Sequence, residues 1–146
     1  MKIELLSQHD IPRLLQIEQQ ANPYPWQLNA FQSSFGDCYF GYKLLDANGT
    51  LQGFYIAQLI LEQLELFNIC VATEAQGQGY GKALLQHFLH EGASRGATEA
   101  FLEVRSSNDS AIALYEKCGF SINGIRKNYY VYGDTKADAL LMMIIL

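Results

Sequence analysis

The strongest constraint on the fold is a glycine-rich turn that joins an apolar strand to a helix. Residues 64–71 are mostly apolar, residues 76–82 read QGQGYGK, and residues 79–91 have the apolar spacing of a helix. The first backbone N–H groups of a helix lack partners and attract an anion, and glycine lets a phosphate come close to them. The turn therefore predicts a phosphate or pyrophosphate site, the alternative being a plain connection between strand and helix.

Two common phosphate-binding motifs do not fit this turn. A Walker A loop requires glycine at position 76 and Ser or Thr at position 83, where the chain has Gln76 and Ala83. A dinucleotide-binding fingerprint that starts at Gly77 requires glycine at position 82, where the chain has Lys82. We therefore expect neither a P-loop nor a Rossmann dinucleotide site.

The composition excludes several classes of protein. With 49% hydrophobic and 17% charged residues, the chain resembles an ordinary globular protein, which predicts one domain over residues 1–146. The net charge of −5 disfavours nucleic acid as a partner. No apolar run approaches the roughly 20 residues of a membrane span, and the first residues lack the apolar core of a signal peptide. We therefore expect no membrane partner.

The cysteines indicate the compartment rather than a site. Cys38, Cys70 and Cys118 form no C-x-x-C pair, and no histidine stands at a metal-ligand spacing from them. We therefore expect neither a disulfide framework nor a metal site. An odd number of scattered cysteines suits a reducing compartment, so the sequence predicts a cytoplasmic protein.

Hydrophobic periodicity predicts alternating strands and helices, which is typical of a mixed α/β (α+β) protein. A turn signal at residues 46–49 predicts a hairpin within a three-stranded meander. The predicted strands cover residues 1–6, 39–45, 53–61, 64–71, 98–104, 121–132 and 139–146. The predicted helices cover residues 10–21, 27–34, 79–91 and 108–117.

Glu103 is an isolated carboxylate within an apolar strand. Strand alternation places Leu102 and Val104 on one face and Glu103 with Arg105 on the other. A carboxylate in this position costs free energy unless it is solvated or paired. From the residues alone, Glu103 is an ion-paired or strand-end charge as readily as a functional group.

Two sequence blocks resemble the GCN5-related N-acetyltransferase superfamily. The first, Gln76-x-x-Gly79-x-Gly81 after an apolar strand, is similar to its acyl-CoA loop. The second, NDSAIALYEKCGF at residues 108–120, is similar to its N-x-x-A-x-x-L-Y-x-x-x-G-F element. The blocks follow in the expected order with one strand between them, so together they are specific.

Shorter segments resemble one family within this superfamily, the bacterial ribosomal-protein-alanine N-acetyltransferases. The resemblance covers essentially the whole chain, and its departures are small. Gly77 often has a bulkier or basic counterpart, and Cys70 and Cys118 replace residues that vary. The matching segments are residues 17–19, Pro25-Trp26, residues 66–69, residues 102–105, residues 126–130 and Asp138-Ala139.

The resemblance implies a fold, a cosubstrate and a set of binding residues. The implied fold is a central, mostly antiparallel sheet flanked by helices and splayed where acetyl-CoA enters. The pyrophosphate would lie on the amides of the glycine-rich turn, and the pantetheine arm would run beside the strand before it. The implied acetyl-CoA-binding residues are Ile69, Cys70, Val71, Gln76, Gly77, Gln78, Gly79, Tyr80, Gly81, Lys82 and Asn108.

The resemblance also implies a direct acetyl transfer to the N-terminal alanine of a ribosomal protein. Glu103 would be the general base, acting through a water, and Tyr115 the general acid for the departing thiolate. Each residue has a structural alternative: Tyr115 can be core, and Asn108 can be a plain N-cap. No histidine is placed by sequence to activate Cys70, which disfavours an acyl-enzyme.

The acceptor amine can be weighed by its basicity. An α-amino group has a pKa of about 7.7–8.0, whereas neutralising a lysine with a pKa near 10.4 at pH 7 costs about 4.6 kcal/mol. This favours an N-terminal amine, and the acidic excess suits a basic ribosomal N-terminus. Residues 22–26 and 128–132 would form the walls of a peptide groove, or else belong to the core. Another amine as acceptor, lysine or a small molecule, and a non-catalytic acetyl-CoA-binding partner protein remain open.

Overall fold

The computed structural model describes all of residues 1–146, and its elements follow the predicted order. Two short 3₁₀ turns, Gln8–Asp10 and Thr73–Ala75, accompany seven strands and four helices. None of the helices is long and apolar enough to cross a membrane. The elements are β1 Lys2–Leu5, α1 Ile11–Ala21, α2 Leu28–Ser33, β2 Tyr39–Leu45, β3 Leu51–Ile60, β4 Gln63–Val71, α3 Tyr80–Ser94, β5 Glu99–Arg105, α4 Asp109–Lys117, β6 Ser121–Tyr132 and β7 Thr135–Ile145.

Most boundaries lie within two residues of the prediction, and the two that differ by more have local reasons. β7 begins at Thr135 rather than residue 139, because a tight turn with Gly133 at a φ of 61° lets Thr135 pair at once with Tyr132. α3 continues past Glu91 because Gly92 serves packing rather than the helix end: it is buried against Leu64, where a larger side chain would clash. The positive φ typical of a helix end, 99°, occurs only at Gly96.

The strands form one sheet in the order β1-β2-β3-β4-β5-β7-β6, in which only the β4–β5 pair is parallel. The predicted, mostly antiparallel sheet is therefore confirmed. Two hydrophobic clusters cover its two faces. One cluster includes Leu84 and Phe88 of α3 and Tyr115 of α4, and the other includes Leu14 and Ile17 of α1.

The sheet opens between its two parallel strands. β4 and β5 are paired only from Gln63 opposite Glu99 to Leu66 opposite Leu102, although both continue further. At the same point β4 contains a β-bulge, since Ile56 of β3 pairs with Asn68 while Ala57 pairs with Leu66. The ends of β4 and β5 therefore diverge, as expected of a sheet splayed at its ligand site.

Candidate active site

A cleft of about 600 Å³ lies where β4 and β5 separate. It is lined by the ends of both strands, by the loop after α1 and by β6. Residues of both predicted groove walls contribute to it. The ring of Tyr24 lies 5.5 Å from that of Tyr130, centroid to centroid, so the two walls meet through aromatic contact. The side chains that carry the predicted chemistry and line the cleft are Ile69, Cys70, Glu103, Asn108 and Tyr115.

Glu103 reaches the cleft from the face of β5 opposite Leu102 and Val104, which belong to the cluster with α3 and α4, as strand alternation predicts. Its Oε1 lies 3.4 Å from Nε of Arg126 on β6, and its side chain is 30% exposed. Glu103 is therefore ion-paired, as one of the two interpretations predicted, and it also lines the cleft. Burial, with the neighbouring Glu103 carboxylate and Tyr129, raises the pKa of Tyr130 to about 12.

Tyr115 belongs both to the core and to the cleft. It is 6% exposed, and its ring lies 6.0 Å from that of Phe120. Burial raises the pKa of Tyr115 well above its ordinary value of 10, so the phenol keeps its proton at neutral pH. The hydroxyl has no hydrogen-bond partner within the protein and is not fully enclosed, which leaves it free to act as a donor in the cleft.

Asn108 is the N-cap of α4, as its structural alternative predicted. Its side-chain oxygen accepts a hydrogen bond from the backbone N–H of Ala111 at 3.3 Å. The residue also lines the cleft, so the cap and a ligand contact are compatible. Capping occupies the amide oxygen and leaves the amide N–H groups for another partner.

The glycine-rich turn lies outside the cleft, at the far end of β4. Gly77 and Gly79 have φ angles of 80° and 83°, and no atom lies within 4 Å of where their Cβ atoms would be. None of the backbone N–H groups of residues 77–82 donates a hydrogen bond within the protein. The first that does is that of Ala83, to the carbonyl of Gly79. Open space over a row of unpaired N–H groups fits a bound phosphate.

The last residues of β4 connect the turn to the cleft. Ile69, Cys70 and Val71 pair with β3 on one side, and no strand pairs with their other backbone edge because β5 has diverged. Of these backbone groups, the carbonyl oxygen of Val71 accepts a side-chain hydrogen bond from Nε2 of Gln76 at 3.1 Å. Ile69 and Cys70 line the cleft, whereas Val71 and the turn do not. An extended ligand arm can therefore hydrogen-bond along this edge between the turn and the cleft.

Cys70 has a buried thiol, and its surroundings do not suit a nucleophile. Its Sγ lies 4.0 Å from the carbonyl oxygen of Ile17. Burial, reinforced by the neighbouring carboxylate of Glu18, raises the pKa of the thiol to about 12. Since the thiolate is the reactive form, Cys70 is a poor nucleophile at neutral pH. No group of three or more His, Cys, Asp or Glu side chains is placed to hold a metal ion.

Two residues near the cleft lie in segments that match the family but were given no role from the sequence. Arg126, the partner of Glu103, lies on a strand distant in sequence, and only the sheet order brings it near. Glu18 is completely buried in α1. It follows Leu14 by one helical turn and therefore lies on the same face, a signal that could have identified it.

The comparisons with known proteins agree on one family. Residues 11–120 match the model of the acetyltransferase (GNAT) family. The chain is 42% identical to the [ribosomal protein bS18]-alanine N-acetyltransferase of Escherichia coli K12, over 97% of this chain and 95% of that one. It is 32% identical to the putative [ribosomal protein bS18]-alanine N-acetyltransferase of Bacillus subtilis, over 92% and 89% of the two chains.

Solved structures show the same fold. The crystal structure of the ribosomal-protein-S18-alanine N-acetyltransferase from Escherichia coli superposes with a TM-score of 0.92 at 40% identity, covering 99% of this chain and 92% of that one. Arabidopsis thaliana NAA60 in complex with acetyl-CoA superposes with a TM-score of 0.89 at 18% identity, covering 99% and 98%, a likeness of fold alone. The family match and the close relatives show that the chain belongs to the acetyltransferase (GNAT) family and is an acyltransferase.

Proposed function

We propose that this protein transfers the acetyl group of acetyl-CoA to the N-terminal α-amine of an alanine-ended ribosomal protein in the cytoplasm. The relatives named for this reaction align with nearly the whole chain. The observation that carries the proposal is the cleft itself. A carboxylate, Glu103, and a protonated phenol, Tyr115, line the same opening beside an unpaired strand edge.

Acetyl-CoA, when bound, supplies an acetyl thioester and a thiolate leaving group. The unpaired N–H groups of residues 77–82 support a bound pyrophosphate, and the free edge of residues 69–71 supports the pantetheine arm. Asn108, which lines the cleft, supplies an amide N–H. These groups would together direct the arm from the turn into the opening of the sheet.

Glu103 is the proposed general base. As a carboxylate with a partly exposed side chain, it can accept a proton directly or through a water. An α-ammonium group with a pKa near 8 gives up its proton about 2.4 pKa units more readily than lysine at 10.4. A single carboxylate is therefore a more adequate base for an N-terminal amine than for a lysine side chain.

Tyr115 is the proposed general acid. Its hydroxyl would donate its proton to the departing sulfur, leaving a phenolate that recovers a proton from solvent. The raised pKa of Tyr115 makes this transfer less favourable than for a free phenol. The same apolar surroundings destabilise a thiolate, which raises the proton affinity of the sulfur and offsets part of this cost.

The acceptor can be tested in cells. The intact masses of ribosomal proteins from cells with and without this gene should differ by one acetyl group on a protein that begins with alanine. Fragmentation should place that acetyl group on the α-nitrogen. Acetylation found only on lysine side chains, or on a small-molecule amine, would replace the proposed acceptor with the alternative one. Unchanged ribosomal masses, with acetyl-CoA binding retained, would favour a non-catalytic partner protein.

A further inference from the structure

Glu18 is a completely buried carboxylate in the last turns of α1. Its Oε2 accepts three hydrogen bonds: from the backbone N–H of Trp26 at 2.9 Å, from Nδ2 of Asn22 at 3.2 Å and from Nδ2 of Asn68 at 3.1 Å. Its Oε1 has no hydrogen-bond partner in the protein. Burying a carboxylate that faces only neutral donors costs free energy of folding. Stability alone therefore does not explain why Glu18 stands here.

The three donors lie on two separate parts of the cleft. Asn22 and Trp26 belong to the loop that forms one wall, and Asn68 follows the bulge in β4 that begins the opening. All three line the cleft, whereas Glu18 lies behind them. One carboxylate oxygen therefore ties the loop to the strand from inside the protein.

The loop held by Glu18 also carries an aromatic residue, Tyr24, that contacts the opposite wall. The side-chain oxygen of Asn22 accepts a hydrogen bond from the backbone N–H of Tyr24 at 2.9 Å. Tyr24 in turn packs against Tyr130 of β6 across the cleft. A change at Glu18 should therefore reach the aromatic contact between the two walls.

We propose that Glu18 is a positioning residue for the acceptor substrate, which holds the loop of residues 22–26 against β4 and so fixes the width of the groove. Glu18 touches neither substrate. This inference rests on the proposed acceptor groove. It separates the two substrates, because neither the acetyl-CoA turn nor the backbone along the free edge of β4 is hydrogen-bonded to Glu18. On that edge the Glu18 carboxylate neighbours only the side chain of Cys70.

Two variants test the proposal. Glu18→Gln keeps the shape and one acceptor oxygen but removes the ionisable carboxyl group, whose pKa burial raises. Glu18→Ala removes the hydrogen-bonding group altogether. We expect the KM for an alanine-ended peptide to rise about 10-fold in Glu18→Gln, because the amide puts an unpaired N–H donor where Oε1 has no partner, and to rise further in Glu18→Ala. The KM for acetyl-CoA should stay within about twofold of the wild-type value.

Asp10→Asn is the matched control, because Asp10 is a half-buried carboxylate at the other end of α1 that pairs with Lys43 at 3.0 Å, away from the cleft. It should leave the peptide KM unchanged even where it lowers the melting temperature. A peptide KM that rises equally in Asp10→Asn would reduce Glu18 to a general stabilising residue and overturn the inference.

A second measurement does not depend on the acceptor. Trp26 is the single tryptophan of the chain, so quenching of its fluorescence by acrylamide reports on this loop alone. Quenching should increase in both Glu18 variants and not in Asp10→Asn. Unchanged quenching would overturn the positioning role.

If the wild-type protein acetylates no alanine-ended peptide, the proposed function fails, and the fluorescence still decides the role of Glu18. If Glu18→Ala does not fold, Glu18→Gln carries both measurements.

Discussion

At the scale of single residues, Glu103 and Tyr115 carry the proposed chemistry and also serve the structure. Glu103 is ion-paired with Arg126, and Tyr115 is packed in the core. Their structural alternatives were therefore correct and did not exclude the functional ones. Variants at these positions must separate the loss of a chemical group from the loss of a contact.

The role of Glu103 predicts a pH-dependent defect. Glu103→Gln should lower turnover at neutral pH by roughly 10²-fold or more, the usual scale for a general base, with little change in acetyl-CoA affinity. The defect should shrink above pH 8, where an α-amine is already largely neutral. The measurement is the pH dependence of kcat/KM for an alanine-ended peptide.

Glu65→Gln is the control for this experiment. Glu65 lies on β4 and does not line the cleft. It is a close neighbour of Glu103, because desolvation together with the charge of Glu103 raises the pKa of Glu65. It should retain most of the activity at every pH. A loss in Glu103→Gln that is the same at all pH values would indicate a binding role instead.

The role of Tyr115 predicts a loss of rate without a loss of stability. Tyr115→Phe keeps the ring in the core and removes a hydroxyl that has no protein partner, so the melting temperature should barely change. Single-turnover acetylation should slow by about 10²-fold, and an acetyl donor with a more acidic thiol should recover part of the rate. Tyr39→Phe, which also removes only a hydroxyl but lies outside the cleft lining, is the matched control and should keep the wild-type rate. Full activity in Tyr115→Phe would show that Tyr115 has only a structural role in the core.

At the scale of elements, the turn before α3 predicts where acetyl-CoA binds. Gly79→Val places a β-branched residue at a φ of 83°, which it cannot readily adopt, and fills the open space over the turn. Acetyl-CoA at about 100 times its Kd stabilises wild type by about 2.7 kcal/mol, and this protection should be largely lost in the variant.

The other end of α3 supplies a matched control for the turn. Gly96→Val introduces similar strain, since Gly96 has a φ of 99° and equally open surroundings just after the helix. It should lower the melting temperature but keep the protection by acetyl-CoA. Equal protection of Gly79→Val would remove the turn from the binding site.

The contact of α3 with β3 predicts acid sensitivity. The ring of His87 in α3 bonds through Nδ1 to the hydroxyl of Tyr55 in β3 at 2.8 Å. Burial lowers the pKa of His87 below its usual 6.5. The unfolded chain therefore takes up a proton first, so stability is present above pH 6.5 and is lost as the pH falls below it. Urea midpoints between pH 7.5 and 5.5 should show a smaller slope in His87→Gln than in wild type or in His9→Gln, a change at an exposed histidine outside α3.

Part of this architecture could be predicted from the sequence because it follows local periodicity. The meander, the four helices and the face of Glu103 each depend on residues close in the chain. The bulge at β4 could not be predicted, since unbroken alternation would keep Leu66 and Cys70 on one face. They lie in different clusters. The Arg126 partner of Glu103 depends on a sheet order that local patterns do not encode.

At the scale of the whole molecule, the two parallel strands join the turn to the cleft. Pairing between β4 and β5 ends at Leu66 and Leu102, which leaves an unpaired edge on β4 and an opening beside Glu103. The glycine-rich turn lies at one end of that edge and the aromatic walls flank the cleft. In the proposed reaction, the sheet would therefore provide separate approaches for two substrates that meet at the opening.

The most direct test of this account is the position of the acetyl group on one peptide that offers both kinds of amine. The peptide begins with alanine, carries an internal lysine and is incubated with the protein and acetyl-CoA. Tandem mass spectrometry should place the acetyl group on the α-nitrogen in the wild type, with Glu103→Gln giving the same product much more slowly. Acetylation of the lysine, or equal reaction of a peptide whose N-terminus is blocked, would contradict the account.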